Sequence, residues 1–276
     1  WCDYAALPTG LPGLCLWRDT MAYETILVEK NNHVGILTLN RPDKLNTLSV
    51  KLFEEIVLGL EDLERDEEVH VVVVRANGWA FCAGRDVSDP TESPLERHEH
   101  RRFARLAAAI AKMGKPVIAA VQGPATAGGF GLALACDLVI ASDDARFGMT
   151  AINVGLFGFG PALVLSRSLG QKKALELLLT GDLIGAAEAE RLGLVNRVVP
   201  RERLDEAAME LAAGLAKKSP VALRMGKRGF YTMADMEYLK ALDYAEALIS
   251  ILHSTEDVEE GIKAFLEKRE PVWKRR

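Results

Sequence analysis

The sequence lacks the paired cysteines that mark disulfide frameworks and zinc sites. Its 276 residues include four cysteines, at positions 2, 15, 82 and 136, and their spacing matches no metal-binding pair. Cys82 and Cys136 stand in apolar surroundings, as small core residues do. No metal site is therefore predicted. A reducing compartment is expected, which we take as cytoplasmic, with the mitochondrial matrix as the alternative.

Long apolar runs and blocks of like charge are also missing. No stretch approaches the roughly 20 apolar residues that a membrane-spanning helix needs. The formal net charge is −5 and the signs are mixed, so neither nucleic acid nor an anionic membrane is expected as a partner. Hydrophobic residues make up 49% and charged residues 26%, which is typical of a soluble globular protein and favours small-molecule chemistry.

The first twenty residues differ in composition from the rest. They are rich in Pro, Gly and Leu and end before Met21, after which a strand-like run begins at Ala22. We interpret residues 1–20 as an upstream extension, a mis-chosen start or a processed leader. They have neither the basic region nor the small-residue cleavage site of a secretory signal, and a targeting role stays open.

Residues 21–200 are predicted to form an α/β core. Strands at 26–29 and 34–39 flank Asn31-Asn32, which predicts a hairpin. Ser49 is the expected N-cap of an amphipathic helix that reaches Leu63. Continuous apolar runs at 71–74, 117–121 and 138–141 predict strands buried on both faces, and helices are expected between them at 95–113 and 129–136. This alternation indicates a mostly parallel sheet.

Helix-forming residues dominate the chain after about Pro161. We predict helices at 163–169, 172–179, 186–192, 204–217, 235–252 and 258–267. Residues 201–276 are expected to form a helical C-terminal region, joined to the core without a long flexible linker.

Two strands run into glycine turns. The run 117–121 leads to Gly123 and then to Gly128-Gly129 at the start of an apolar helix, and the run 71–75 leads to Phe81-Cys-Ala-Gly84 before Arg85. Free main-chain N–H groups at such turns form anion sites, and two of them can polarise one carbonyl. The alternative is that these glycines only permit tight turns and close helix packing. A dinucleotide-binding fingerprint is excluded, because Leu134 stands where its last glycine should be.

Six short motifs connect these turns to a known family. They are Asn40-Arg-Pro42, Phe81-Cys-Ala-Gly84, Val121-Gln-Gly123, Cys136-Asp137, Arg146-Phe-Gly148 and Leu179-Thr-Gly181. In this order and spacing the chain resembles the crotonases, the enoyl-CoA hydratase and isomerase superfamily, from about Tyr23 to Trp273. The resemblance implies a crotonase β-β-α spiral core with a helical C-terminal trimerisation region, assembled as a homotrimer or a dimer of trimers.

The resemblance also implies a ligand and a site. The ligand is an acyl-CoA thioester, with coenzyme A as part of the substrate and no separate cofactor. The thioester oxygen is expected at the backbone N–H groups of Arg85 and Gly128, where the developing negative charge of an enolate would be held. Further substrate contacts are implied for Asp86, Val87, Ser88, Gly129, Phe265 and Lys268, the last two near the adenine and ribose phosphate, often from a neighbouring subunit.

The acids that crotonases use are missing from this sequence. Hydratases carry glutamates at positions that correspond to Gly131 and Ala151, and isomerases and dehalogenases an aspartate that corresponds to Phe159. None of these three side chains can move a proton. The segment Ala151–Phe157 and the ending Phe265–Trp273 resemble the branch of enoyl-CoA hydratase domain-containing protein 3, which also lacks these acids.

Substitute acids are Asp86, Asp89 and Glu92, which follow the first turn. A carboxylate buried there would have a raised pKa, whereas a turn or cap role is the structural alternative. His98 and His100 are better explained as a solvated helix face than as metal ligands. Two functions are therefore expected: an enzyme that stabilises a thioester enolate without the usual glutamates, or a non-catalytic acyl-CoA binding or regulatory protein.

Overall fold

A six-stranded sheet forms the centre of the molecule. The computed structural model describes residues 23–89 and 99–275, so the calls on residues 1–20, Glu92 and His98 lie outside the described residues. The sheet has the order β1-β2-β3-β4-β6-β9. Its strands are β1 (Ile26–Asn31), β2 (Val34–Leu39), β3 (Val71–Ala76), β4 (Val117–Val121), β6 (Leu138–Ser142) and β9 (Arg197–Val199). Only the β1–β2 pairing is antiparallel among the pairings within this sheet.

A second, smaller sheet contains β5 (Pro124–Thr126), β7 (Arg146–Gly148) and β8 (Ile184–Gly185), in the order β5-β7-β8. β4 passes into β5, and β6 into β7, after a few residues, so each pair places one strand in each sheet before a helix follows. Cys82 makes a lone bridge to Ala125, which adds the turn after β3 to the same arrangement. This repeat is a β-β-α spiral.

Ten helices are described. They are α1 (Val50–Arg65), α2 (Glu99–Lys112), α3 (Gly128–Ala135), α4 (Phe159–Ser168), α5 (Gln171–Thr180), α6 (Ala186–Arg191), α7 (Leu204–Ala216), α8 (Pro220–Met233), α9 (Tyr238–His253) and α10 (Glu256–Glu267). Short 3₁₀ turns at Pro42–Lys44, Thr150–Val154 and Arg201–Arg203 complete the connections. In the ranges that the structure describes, no helix is long and apolar enough to cross a membrane.

The main sheet is buried on both faces, as its apolar strands predict. Val72 and Val74 belong to the large core that contains α1, α2 and α3, whereas Val71 and Val73 pack in a second core with the apolar face of α7. The alternation follows from the two-residue period of a strand. Helix α7 therefore covers the face of the sheet opposite to the one on which α3 lies.

Most predicted elements are present, with shifted ends. The hairpin turn has positive φ at Asn32 and His33, one residue later than expected, because Asn31 still pairs with Val34. Ser49 caps α1 as predicted, since its side chain accepts a hydrogen bond from the Leu52 N–H at 3.2 Å. The sequence analysis missed α8 and the short strands β5, β7, β8 and β9.

Candidate active site

The first glycine turn is held against the loop that precedes α1. Gly84 has φ of +95°, and a Cβ on it would lie 3.0 Å from both the Ala127 Cβ and the Thr126 oxygen, so glycine is required. Leu48 pairs with the turn by donating to the Gly84 carbonyl at 2.7 Å and accepting from the Asp86 N–H at 3.1 Å. Because these two bonds use the neighbours of Arg85, the Arg85 N–H points to the other side, away from Leu48.

The second turn lies between β5 and α3. Ala127 has φ of 48° and ψ of −116°, a sparsely populated conformation for a residue with a Cβ, and its N–H donates to the Gly148 carbonyl at 2.8 Å. This conformation ends β5 and starts α3 at Gly128, one residue earlier than the sequence predicts. The N–H of Gly128 thus belongs to the positive end of an eight-residue helix.

The two turns bring the predicted amides together. A Cβ built on Gly128 would lie 4.0 Å from the Arg85 nitrogen, and one built on Gly84 would lie 3.6 Å from the Gly128 nitrogen. Arg85, Ala127 and Gly128 all line one cavity of about 440 Å³. The two backbone nitrogens therefore lie close together at the wall of this cavity.

The rest of the cavity is apolar. Besides Arg85, Ala127 and Gly128, its lining consists of Leu48, Phe53, Phe103, Met149, Ala151, Ile152, Gly155, Leu156, Phe157, Gly158, Phe159, Gly160, Pro161 and Leu178. Among the described residues in this lining, Arg85 is the one with an ionisable side chain. The described lining thus contains no carboxylate, imidazole, thiol or phenol that could transfer a proton.

The three positions predicted to lack acids lie at or behind this cavity. Ala151 and Phe159 line it directly, and Phe159 is exposed at its edge with its ring 4.8 Å from that of Phe157. Gly131 is buried behind Phe103, and a Cβ on Gly131 would lie 2.8 Å from two ring carbons of Phe103 and from the Pro161 Cβ. A longer side chain at position 131 has no room unless these neighbours move.

Asp86 is bound in an ion pair outside the cavity lining. Its carboxylate accepts from Arg41 Nη2 at 2.9 Å and from the Ser88 hydroxyl at 2.7 Å and N–H at 3.1 Å. Burial alone would raise the pKa of Asp86, but the hydrogen bonds from Ser88 and Arg41 lower it below its usual range. The expectation of a raised pKa at this position is therefore wrong, and Asp86 is unsuited to act as a base near neutral pH.

Asp89 is a cap residue. Its Oδ2 accepts from the Val50 N–H at 2.9 Å, at the first residue of α1. Asn153 is exposed, and its side-chain amide donates to the Gly181 carbonyl at 3.4 Å. Neither side chain belongs to the cavity lining.

The other residues predicted to contact the substrate differ in their exposure to solvent. Val87 and Ser88 are exposed just beyond Arg85. Gly129 is buried, and a Cβ on it would lie 2.1 Å from the Cys82 oxygen, so close packing of α3 on the first turn explains this glycine. Phe265 is 81% exposed near the end of α10, and Lys268 caps that helix with φ of 53°. Neither Phe265 nor Lys268 lines the cavity.

The two cysteines of the described chain are core residues, as predicted. Cys82 and Cys136 are both free and buried, and burial raises the pKa of the Cys82 thiol to about 12 and that of Cys136 as well. Neither thiol is activated as a nucleophile. Within residues 23–89 and 99–275, no group of three His, Cys, Asp or Glu side chains could hold a metal ion.

Sequence reasoning missed most of the cavity wall. Phe103, Phe157, Met149 and Leu178 come from four separate segments, and only the fold brings them to the two amides. The two glycine turns were predicted because a strand followed by a glycine is a local signal, whereas the assignment of the Arg85 and Gly128 amides came from the family resemblance.

Known proteins share the sequence family and the fold of this chain. Residues 29–276 match the family model described as enoyl-CoA hydratase/isomerase. The chain is 38% identical over 257 residues to a Mycobacterium tuberculosis protein named "Probable enoyl-CoA hydratase echA8", covering 93% of this chain and 100% of that protein.

Two solved structures are similar throughout. The enoyl-CoA hydratase of Mycobacterium smegmatis superposes with a TM-score of 0.86 at 38% identity, covering 91% of this chain and 99% of that one. Human enoyl-CoA hydratase domain-containing protein 3 superposes with a TM-score of 0.84 at 31% identity, covering 91% of this chain and 100% of that one. The crotonase fold predicted from the sequence is confirmed.

Proposed function

Because the chain belongs to the enoyl-CoA hydratase/isomerase family, we propose that it binds an acyl-CoA thioester and holds the thioester oxygen at the N–H groups of Arg85 and Gly128. The observation that carries this proposal is the convergence of the two turns on one cavity. Ala127 supports it, because its strained backbone directs the Gly128 amide, and such strain concentrates at functional sites.

The chemistry follows from where charge develops. Removal of a proton from C2 of an acyl thioester, or addition at C3 of an enoyl thioester, moves negative charge onto the thioester oxygen. Two fixed N–H groups and the N-terminus of α3 stabilise that oxygen without rearrangement, and removing one such donor typically costs about 3 to 4 kcal/mol of transition-state stabilisation. An enolate-like state is therefore the intermediate that this site supports.

Hydration by a pair of glutamates is not part of the proposal. The described cavity lining has no carboxylate, and general acid-base catalysis typically contributes about 10² to 10⁴ in rate. On this ground we propose that the chain belongs with the branch of human enoyl-CoA hydratase domain-containing protein 3. Overall identity does not favour that branch, since it is 31% to the human protein and 38% to the M. smegmatis hydratase.

A second candidate is a non-catalytic acyl-CoA binding or regulatory protein. The same observation favours it, because a cavity that keeps the amides and has no proton-transfer group in its described lining can bind a thioester without turning it over. Turnover of any enoyl-, dienoyl- or malonyl-type CoA separates the two candidates from each other.

Calorimetry tests the ligand. Crotonyl-CoA and a saturated acyl-CoA are expected to bind more tightly than the corresponding free acids, because coenzyme A supplies binding energy remote from the carbonyl. Free CoA is the control for that remote part. If none of the three CoA compounds gives heat at high micromolar concentration, the proposed ligand class is wrong.

A spectrophotometric assay tests the reaction. Loss of the conjugated enoyl absorbance of crotonyl-CoA is expected to be weak or undetectable. A rate near the common enzymatic median of about 10 s⁻¹ would show that another group transfers the proton and that our interpretation of Gly131 and Ala151 is wrong.

The assembly is proposed to be a trimer or a dimer of trimers. Large apolar side chains on α8, α9 and α10 are exposed in the single chain, among them Phe230, Tyr238, Leu239, Ile249, Ile251, Phe265 and Leu266. Exposed large apolar side chains, when they form one patch, are typical of an interaction surface. Sedimentation of the purified protein tests this, and a monomer at micromolar concentration would contradict it. In a trimer, Phe265 and Lys268 would be available to the CoA bound by a neighbouring subunit.

A further inference from the structure

The ring of Phe103 is held between two glycines at the inner wall of the cavity. Phe103 belongs to α2, is 4% exposed and lines the cavity. A Cβ on Gly160 would lie 2.6 Å from Phe103 Cδ1 and 3.1 Å from Cγ, and a Cβ on Gly131 would lie 2.8 Å from Cε2 and from Cζ. Real Cβ atoms do not approach other atoms this closely, so both positions must be glycine while the ring is there.

Gly160 and Gly131 belong to different helices. Gly131 is in α3, three residues after the Gly128 amide, and Gly160 is the second residue of α4. Phe103 thus fills the space between three helices, and its ring forms part of the wall that the described cavity presents on the side of α3 and α4. The ring and Pro161 together deny space to a longer side chain, acidic or apolar, at position 131.

We propose that Phe103 is the specificity-determining residue of this cavity, and that its ring sets how long an uncharged, apolar acyl chain the site accepts. The proposal rests on the proposed function, since it specifies the acyl group of the thioester held at Arg85 and Gly128. The same cavity lining includes Met149, Phe157, Pro161 and Leu178, which suits an alkyl or aryl group.

Two substitutions are expected to move chain-length preference in opposite directions. Phe103→Ala removes the wall, so longer acyl chains gain room, and each additional methylene that becomes buried lowers Kd by about fourfold. Gly160→Ala places a methyl group 2.6 Å from Phe103 Cδ1, at a position that itself lines the cavity, so the ring has to move, and longer chains are expected to lose affinity while the shortest keep it.

The experiment measures Kd by calorimetry for butyryl-, hexanoyl-, octanoyl- and decanoyl-CoA. The wild type, Phe103→Ala, Gly160→Ala and the double variant are compared. Gly214→Ala is the matched control, because Gly214 is an exposed helical glycine with nothing within 4 Å of an added Cβ. In the double variant the effect of Gly160→Ala is expected to vanish, because the atoms nearest to the added methyl group are those of Phe103.

Two results overturn the proposal. One is an unchanged chain-length profile in Phe103→Ala that is folded by circular dichroism. The other is a Gly160→Ala effect that persists without the ring, which would mean that the glycine acts through α4 itself. Phe103→Leu is measured beside Phe103→Ala and, if the alanine variant does not fold, supplies the same comparison with a smaller shift.

A wrong ligand class can be distinguished from a wrong role of Phe103. If the wild type binds none of the four thioesters, the ligand class is wrong, and the wall is then tested with 1-butanol to 1-decanol by the shift of melting temperature. An alcohol series with the same optimum length in the wild type and Phe103→Ala would overturn the role of Phe103 as well. A longer optimum in the variant would retain it for whatever apolar chain the cavity takes.

Discussion

Main-chain atoms, more than side chains, define the site at the scale of single residues. Arg85 and Gly128 are unlike as amino acids, yet both line the same cavity, and the proposed site uses only their N–H groups. The glycine turns that carry them could be predicted from the sequence, because glycine after a buried strand is a local signal, whereas the choice of these two amides rested on the family resemblance. Phe103 could not be predicted, since nothing near it in the sequence indicates that it will meet Gly131, 28 positions later.

Gly128→Pro tests the main-chain character of the site. Proline is tolerated at the first position of a helix, so this change removes one N–H group. It also adds a Cβ 3.0 Å from Leu48 Cδ1 and follows Ala127, whose φ of 48° is disfavoured for a residue before proline, so the fold of the variant is checked first. Thioester turnover is expected to be abolished and acyl-CoA binding weakened, whereas Arg85→Ala, which keeps its N–H, is expected to have a smaller effect. Calorimetry and activity are measured on variants shown to be folded and oligomeric by circular dichroism and sedimentation. If Arg85→Ala is the more damaging change, the arginine side chain is the functional group.

A buried ion pair fixes α8 to the core. Lys227 Nζ donates to Asp137 Oδ2 at 2.7 Å, and the two side chains are 7% and 15% exposed. Asp137 also accepts from the Tyr231 hydroxyl at 2.9 Å and the Val117 N–H at 2.7 Å. Burial lowers the pKa of Lys227 despite this partner.

Lys227→Met is expected to reduce the free energy of unfolding by about 3 kcal/mol, because it leaves a buried carboxylate without its cation. Urea unfolding at one protein concentration measures this. The control is Lys51→Met, which breaks an exposed pair with Glu24 and is expected to change stability by no more than about 0.5 kcal/mol. Equal losses of unfolding free energy would show that the buried ion pair stabilises the fold no more than the exposed one.

At the scale of elements, a strand or helix could be predicted only where its own hydrophobic pattern was long and regular. Strands β3, β4 and β6 are continuous apolar runs, and each was found. Strands β5, β7 and β8 have two or three residues each, too few to show a period, and they exist because they pair with one another. Helix α8 was missed because it starts with Pro220 and contains Gly226 and Gly229, which lower intrinsic helix propensity.

The cap of α1 is a prediction at this scale. Ser49 is buried and satisfies the Leu52 N–H, while Asp89 satisfies the Val50 N–H. Ser49→Ala is expected to lower the free energy of unfolding by about 1 kcal/mol. The matched change is Ser168→Ala, at the C-terminal end of α4, where the exposed hydroxyl caps no N–H group in the described contacts and little loss is expected. Urea denaturation compares the two, and equal losses would contradict the capping role.

At the scale of the whole molecule, the C-terminal segment is fastened to residues far away in sequence. His70 precedes β3, stacks on His33 of the first hairpin with ring centroids 4.5 Å apart, and contacts the Ala216 carbonyl at 3.2 Å. Arg275 donates to the Glu67 carbonyl at 3.1 Å. No local pattern predicts such a junction, because its members come from both ends of the described chain.

This junction predicts a pH dependence of stability. Burial lowers the pKa of His70, and although the hydrogen bond with the Ala216 carbonyl acts the other way, the nearby positive charges add to the lowering. The folded state therefore binds fewer protons than the unfolded state between the lowered value and the ordinary value of about 6.5. Stability is expected to decrease as the pH falls through about 6.5. Urea midpoints between about pH 8 and pH 5 measure this, and His70→Gln should flatten the slope. An equally steep slope in the variant would assign the effect to other groups.

At the strained residue Ala127, thermal stability and a rigidly held Gly128 N–H favour different amino acids. A conformation outside the populated regions costs about 1 to 3 kcal/mol, and glycine would adopt the same φ and ψ without that cost. A screen of variants for heat stability, without selection for binding, is therefore expected to enrich Ala127→Gly. This variant should have a higher melting temperature and a less rigid Gly128 amide. One substitution would then raise thermal stability and loosen the position of the Gly128 N–H. Heat-stable homologues with glycine at this position are expected to bind thioesters more weakly.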